Sequence, residues 1–199
     1  MNYVNVNKKK VFINDGNLYL ESFKINKISD IKRLGRHTNL KALYLEKNNI
    51  KAIEGLDKLT DLRKLHLEFN HIPDISGLES LKYLEDLELS GNQIAKIENL
   101  NHLHRLKELL LNNNKIVNIE GVDGLSNLEN LNLSNNRIEE IKGLETLKNL
   151  KYLNLSYNKI EEIKGLLELP NLEVLELKDN PITNWESLKE ISNLKKIIK

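Results

Sequence analysis

The sequence predicts an α/β solenoid: a right-handed superhelix with a concave parallel β-sheet and short 3₁₀ or irregular segments on its convex side. Three observations carry this. First, one pattern, Leu-x-x-Leu-x-Leu-x-x-Asn-x-Ile-x-x-Ile-x-Gly-Leu-x-x-Leu-x-x, recurs every 22 residues, with its Asn at Asn48, Asn70, Asn92, Asn114, Asn136, Asn158 and Asn180. A period of this length marks stacked coils that share one core. Second, the Leu-x-Leu pair of each copy has the period-2 alternation of a strand. Third, strand and turn consume about half of so short a coil, which leaves no room for a full helix on the return. A single coil cannot bury its own leucines. Stacking buries them against the neighbouring coils and lays the strands side by side about 4.8 Å apart.

The elements follow in chain order. Val4, Val6, Val11, Ile13, Leu18 and Leu20 alternate with polar residues, and Asn14-Asp15-Gly16 reads as a turn between two such runs. Residues 1–17 are expected to form a strand-rich N-terminal cap, because an open solenoid end needs cover. Residues 18–39 read as a degenerate coil: Phe23, Asn26, Ile28, Ile31 and Leu34 lie one period before Leu45, Asn48, Ile50, Ile53 and Leu56. Residues 40–193 hold the seven full copies, which begin at Leu40, Leu62, Leu84, Leu106, Leu128, Leu150 and Leu172. Gly55, Gly77, Gly121, Gly143 and Gly165, with Asn99 in the third copy, mark a left-handed backbone position. The asparagine at each strand exit is expected to point inward and satisfy backbone groups freed by the turn. Residues 181–199 form a C-terminal cap that overlaps the last copy. In it Trp185 replaces the second Ile as a plug, and Thr183 or Asn184 caps a short helix from Trp185 to Ile191. The coils share a core, so residues 1–199 make one domain.

The Asn-x-Ile-x-x-Ile-x-Gly-Leu half, repeated over residues 40–193, resembles the 22-residue type of leucine-rich repeat. It is most similar to the repeats of the nuclear regulatory subunit of protein phosphatase 1, and less closely to internalin repeats. The resemblance implies the solenoid fold and a non-enzymatic protein-interaction role. Regulation of a Ser/Thr protein phosphatase is the alternative it implies. Copy-to-copy alignment with that subunit is ambiguous, so no phosphatase-contacting residue carries over. One fold hosts many functions, and the surface must decide among them.

Thirty basic and 29 acidic residues give a net charge of +1, which supplies no global pull toward nucleic acid or membrane. The chain has no cysteine, which fits a reducing compartment, and no signal peptide or membrane span is visible in it. A cytoplasmic location is the expectation, with secretion of a longer precursor left open. A monomer is favoured.

Register assigns the surface. The third, fifth, seventh and eighth positions of each copy face the concave side. Copies one to four place Glu46, Glu68, Asp86, Glu88 and Glu108 close together, offset in part by Lys64 and His66 and bordered by Tyr44, Phe69 and Leu110. His66 is expected beside Glu88 as a cross-strand pair. Copies five and six replace charge with Asn130, Asn132, Ser134, Asn154 and Ser156, bordered by Tyr152 and Tyr157. Like charges this close repel, and exposed aromatics are typical interface anchors. The candidate partner-binding residues are therefore Tyr44, His66, Glu68, Phe69, Asp86, Glu88, Glu108, Leu110, Tyr152 and Tyr157. The expected partner is a protein or peptide that offers basic or amide-bonding groups and an apolar anchor. The plain alternative is a solvated polar face with a few tolerated aromatics. An acidic groove repels phosphates. His102 and His104 lack cysteine or paired carboxylates at zinc spacing, and no Gly-x-Ser-x-Gly elbow or phosphate-cradling glycine loop occurs. No catalytic residue, metal or cofactor is expected.

Overall fold

The computed structural model describes residues 2–199. The chain opens with an antiparallel hairpin, β1 (Tyr3–Val6) and β2 (Lys9–Phe12). A parallel sheet then takes one short strand from every coil. These strands are β3 (Asn17–Tyr19), β4 (Ala42–Tyr44), β5 (Lys64–His66), β6 (Asp86–Glu88), β7 (Glu108–Leu110), β8 (Asn130–Asn132), β9 (Tyr152–Asn154), β10 (Val174–Glu176) and β11 (Lys196–Ile198). They pair in sequence order as a nine-stranded sheet. Equal spacing in the sequence gives equal register in space. Leu43, Leu65, Leu87, Leu109, Leu131, Leu153 and Leu175 form one rank, each paired with the next.

Behind the sheet each coil returns through two consecutive tight turns. Leu59 N–H donates to Leu56 O and Leu62 N–H to Leu59 O, and the same pair recurs at Leu78, Leu81 and Leu84 and in each later coil. Bonds between residues three apart are 3₁₀ geometry, and a three-residue repeat keeps every third side chain on one side. The convex leucines are therefore buried along with those of the strands. Burying each such side chain contributes roughly 1.5–3 kcal/mol. The described residues contain no α-helix, only 3₁₀ segments at Ile28–Asp30, Leu34–Arg36 and Glu186–Glu190. None of these is long and apolar enough to cross a membrane.

The asparagine ladder forms as its position in the repeat predicts. Asn136 is typical: its Nδ2 donates to Leu133 O and, one coil earlier, to Leu111 O, both at 3.0 Å, while its Oδ1 accepts the Ile116 N–H at 2.9 Å. The left-handed glycine position is sterically forced as well. At Gly77, φ is +69°, and a Cβ there would lie 2.1 Å from Ile53 O. Asn99 takes the same conformation in its own coil and ties its Nδ2 to Ile75 O.

The ends depart from the expectation in three ways. The hairpin turn is Asn7-Lys8, both at positive φ, whereas Asn14–Gly16 makes a separate tight turn that feeds β3 into the parallel sheet. The first coil is also longer. Leu18 pairs with Leu43, which lies 25 positions later instead of 22, and Asn48 Oδ1 accepts the N–H of Ile25. The three extra residues are absorbed at the 3₁₀ turn Ile28–Asp30, after which Arg33 takes the left-handed position of Gly55. Leu20, not Phe23, therefore matches Leu45, and Asn26 is exposed and outside the ladder. At the far end the 3₁₀ turn Glu186–Glu190 stands where a helix from Trp185 was expected. Asn184 Oδ1 accepts the Glu186 N–H, and β11 adds an unforeseen strand.

Val4 and Val6 of the hairpin are buried against the first coil. Asn5 exchanges both backbone bonds with Lys32, and Arg33 stacks over the Tyr3 ring at 4.0 Å. Along one flank of the coils Arg63, Glu85, Lys107, Glu129, Lys151, Glu173 and Lys195 alternate in sign. Bonds link Arg63 to Glu85, Lys151 to Glu129 and Lys195 to Glu173. These charges are spent on one another, at modest gain for exposed pairs.

Candidate functional site

The sheet ladder runs beyond the three-residue strands. Leu67 N–H donates to Glu88 O, Phe69 N–H to Ser90 O and Gly91 N–H to Asn112 O. Third-, fifth- and seventh-position side chains thus stand in columns across the open face, and the eighth position turns the chain away. All ten candidate residues belong to this sheet face or its exit turn. The structure changes the roles of several.

Asp86 is buried, at 9% exposure, and is not a free contact. Its Oδ2 receives Lys64 Nζ at 3.1 Å and His66 Nε2 at 3.2 Å. Burial alone would raise the Asp86 pKa, but these two donors hold it below the ordinary carboxylate value. Glu88 is the backbone neighbour of His66, as predicted, yet the imidazole bonds to Asp86. Burial works against a charged His66. The bond to Asp86 and the nearby carboxylates Glu68 and Glu88 outweigh it and raise the pKa above 6.5. Burial likewise raises the pKa of Glu68 and of Glu88.

The remaining carboxylates divide into two kinds. Glu88 Oε1 accepts the Ser90 N–H at 2.9 Å, and Glu108 Oε1 accepts Asn130 Nδ2 at 3.0 Å. Glu46 Oε2 and Glu68 Oε2 are enclosed and receive no hydrogen bond from the chain. Among the described residues, none of these four glutamates has a cation within ion-pair distance, since Lys47 binds Glu21 and Lys64 binds Asp86.

An aromatic row borders the acidic patch. Tyr19 and Tyr44 stack at 4.6 Å with an interplanar angle of 5°, and Tyr44 meets His66 edge-on at 4.9 Å. Tyr19, 52% exposed, is a concave residue that the 22-residue register missed. The alternation Leu18-Tyr19-Leu20 carried the signal, because it places Tyr19 between two inward leucines.

Phe69 and Tyr157 are 54% and 50% exposed, and both have positive φ (56° and 57°). Every eighth position is left-handed. Gly91, Asn113, Asn135 and Asp179 suit that conformation, whereas bulky residues there cost about 1–2 kcal/mol. Gly91 is also what lets the Phe69 ring lie across the next coil: a Cβ at Gly91 would sit 2.7 Å from Phe69 Cδ1. Tyr157 is capped by Lys178, its Nζ 5.6 Å from the ring centre.

Much of the amide half is committed internally. Asn132 Oδ1 and Asn154 Oδ1 accept the N–H groups of Ser134 and Ser156, two residues on. Tyr152 Oη and Asn154 Nδ2 both donate to Glu176. Leu110 is half-buried between Glu88 and Asn132. His102 and His104 lie elsewhere and meet the backbone carbonyls of Leu78 and Gly124. Among the described residues, no group of three or more His, Asp or Glu side chains is arranged to hold a metal ion. The open sheet offers recognition chemistry: carboxylates without a paired cation, and exposed aromatic rings.

A family model described as leucine-rich repeat matches residues 64–158, and one of paired leucine-rich repeats matches residues 38–80 and 148–190. No curated protein matches the sequence. Among similar solved structures is internalin C2 from Listeria monocytogenes, with TM-score 0.82 and 31% identity over 92% of this chain and 79% of that one. A second Listeria monocytogenes internalin, internalin F, has TM-score 0.79 and 29% identity over 87% of this chain and 51% of its own. A leucine-rich repeat protein from Leptospira interrogans has TM-score 0.82 and 27% identity over 92% of this chain and 48% of its own. This chain spans about half the length of the latter two. Solenoids of this kind commonly serve as protein–protein interaction modules, with the extended concave sheet as a ready surface. Repeat spacing, parallel sheet, asparagine ladder and these matches lead to one conclusion: the chain belongs to the leucine-rich repeat family.

Proposed function

We propose that this protein is a non-enzymatic interaction module that binds a protein or peptide partner on its concave face. The observation that carries the proposal is the co-location on that face of Glu46, Glu68, Glu88 and Glu108, none with a cation within ion-pair distance among the described residues, and of Phe69 and Tyr157, aromatics held exposed at a backbone position better suited to Asn or Gly. A protein under no demand there would relax toward the cheaper residues, as four of its seven copies do. The partner offers basic groups to the acidic half and an apolar anchor beside the aromatics. Charges of this sort steer encounter, and the aromatics hold the complex.

The test is affinity capture from cells of the source organism, followed by identification of the bound protein. Capture that disappears in Phe69→Ala and Tyr157→Ala variants supports the proposal. Capture indifferent to both sinks it. Regulation of a Ser/Thr phosphatase is a narrower version of the same idea. None of the three structural neighbours is described as a phosphatase subunit. Recovery of a phosphatase catalytic subunit in the same experiment would establish that version.

A further inference from the structure

We infer that the outer edge of β2 (Lys9–Phe12), in the hairpin that caps the N-terminal end of the solenoid, is a docking surface for an extended acidic segment of a partner protein, which adds beside β2 as a further strand. The inference does not rest on the concave-binding proposal.

The backbone supplies the first argument. β2 has a strand neighbour on one side only. Along an antiparallel pair the hydrogen-bonding direction alternates from residue to residue. Ile13 N–H donates to Asn2 O, and Asn5 turns away from β2 to exchange both of its bonds with Lys32. In that register Val4 bonds Val11 and Val6 bonds Lys9. Lys10 and Phe12, opposite Asn5 and Tyr3, point their N–H and C=O groups away from β1. Among the described residues, no backbone bond reaches those four groups from the rest of the chain. The edge is held in shape before anything binds, since Val4 and Val6 are buried and Asn5 is tied to Lys32. Free donors and acceptors at alternate residues of a fixed strand are what an incoming extended peptide pairs with. A bilayer or a nucleic acid has no peptide backbone to fill them.

Charge then selects among peptides. Residues 1–36 carry eight basic and three acidic side chains, a net charge of +5, while the other 22 basic and 26 acidic residues give −4. The overall +1 conceals this polarity. Among the described residues, none of those eight has a carboxylate within ion-pair distance, and the first basic side chain that does is Lys41, with Asp61. Lys10 and Arg33 rest over the Tyr3 ring, which leaves their charge unneutralised. Lys8, Lys9 and Lys10 lie on the hairpin itself and are exposed. Lysines on an edge deter pairing with a second copy, whose β2 brings the same charges. A strand carrying Glu or Asp meets no such barrier. Phe12 is 62% exposed, its ring centre 6.0 Å from that of Tyr3, and it offers an apolar residue of the added strand a cross-strand contact.

The experiment uses the whole chain and a capped peptide of alternating Glu and Val. Its controls are the same peptide with Lys in place of Glu, and the acidic peptide N-methylated at every residue, which keeps the charge and removes the backbone donors. Phosphatidylserine vesicles and oligothymidylate are the other anionic probes. Amide shifts and amide hydrogen exchange are followed by NMR. The expected result is a saturable shift centred on Lys10 and Phe12, with slower exchange of their two amides. Both control peptides should bind about tenfold more weakly or worse, as should the acidic peptide to a Lys9→Glu/Lys10→Glu variant of unchanged circular dichroism. Equal binding of the N-methylated peptide, a response centred elsewhere, or no saturable response would each overturn the inference. So would shifts of Lys10 and Phe12 caused by the vesicles or the oligothymidylate but not by the acidic peptide.

Discussion

Asn136→Ala probes what holds the coils in register. Asn136 lies in the middle of the ladder and touches two coils. Its amide nitrogen serves the carbonyls of Leu111 and Leu133, and its oxygen serves the Ile116 N–H. Alanine leaves the buried Ile116 N–H without a partner, and it takes one of two donors from each carbonyl, since Leu111 O keeps Asn114 Nδ2 and Leu133 O keeps Asn158 Nδ2. The unsatisfied N–H costs about 1–3 kcal/mol, each lost carbonyl bond adds about 0.5–1.5 kcal/mol, and a water entering the vacated space recovers part, so the net loss is about 2–4 kcal/mol. Asn136→Asp should cost at least as much. It keeps an acceptor for Ile116 but turns a second oxygen toward two carbonyls. Asn180, at the partly exposed end of the ladder, is the internal control, and its alanine variant should lose only about 1–2 kcal/mol. Urea denaturation with linear extrapolation measures these differences. Coils contact only their neighbours, so a weakened middle also favours a second transition or a reduced m-value. A loss below about 1 kcal/mol for Asn136→Ala, or equal losses at Asn136 and Asn180, would refute the assignment of buried bridging to this residue.

Further outcomes follow from the same geometry. Leu109→Ala should destabilise by roughly 2–5 kcal/mol by the same denaturation assay, because Leu109 is fully buried. Phe69→Asn should stabilise the free protein by about 0.5–1 kcal/mol by relieving the left-handed strain, and it should weaken partner binding. A Phe69→Asn variant of lowered melting temperature would contradict the strain argument. The protein should melt at higher temperature near pH 5.5 than near pH 8, measured by calorimetry. His66 has a folded pKa raised above 6.5, so its contribution is fully present below that value and is lost as pH rises through the folded pKa. Glu68 and Glu88 are raised above 4.5, so they too favour the fold as pH falls through their folded values. Asp86, held below 3.8, opposes this only in stronger acid. Glu68→Gln should flatten the profile, and an unchanged slope would show that Glu68 takes no part. Glu88→Lys with Glu108→Lys should slow association with a cognate partner and weaken its salt dependence, read by stopped-flow kinetics at two ionic strengths.

The repeat made most of the fold legible. Once the seven asparagines were in register, strand positions, buried leucines and the left-handed glycines followed, because every coil solves the same packing problem. Legibility failed where the period breaks. The first coil carries three extra residues in its return turn, so a 22-residue register put Phe23 where Leu20 belongs and hid Tyr19. The hairpin turn at Asn7-Lys8 lacks the glycine that marked the turn at Gly16, and β11 has no Asn or Leu-x-Leu to announce it. On the concave face, sequence placed the columns but not the bonds between them. Whether His66 turns to Glu88 or Asp86 depends on rotamers and on the Lys64 beside it, which spacing does not encode. The strain at Phe69 and Tyr157 was also invisible from composition, since it resides in φ angles that only the stacked coils impose.

The most direct test of the account compares two faces of one molecule in the same capture experiment. One variant carries Phe69→Ala, Tyr157→Ala, Glu88→Lys and Glu108→Lys on the concave side. The other reverses Glu139, Lys159 and Glu161 in the charged groove on the return side of the coils. Circular dichroism and melting temperature first establish that both remain folded. The account predicts that the wild type and the groove variant retain the same bound protein and that the concave variant loses it. Retention by the concave variant together with loss by the groove variant would contradict it.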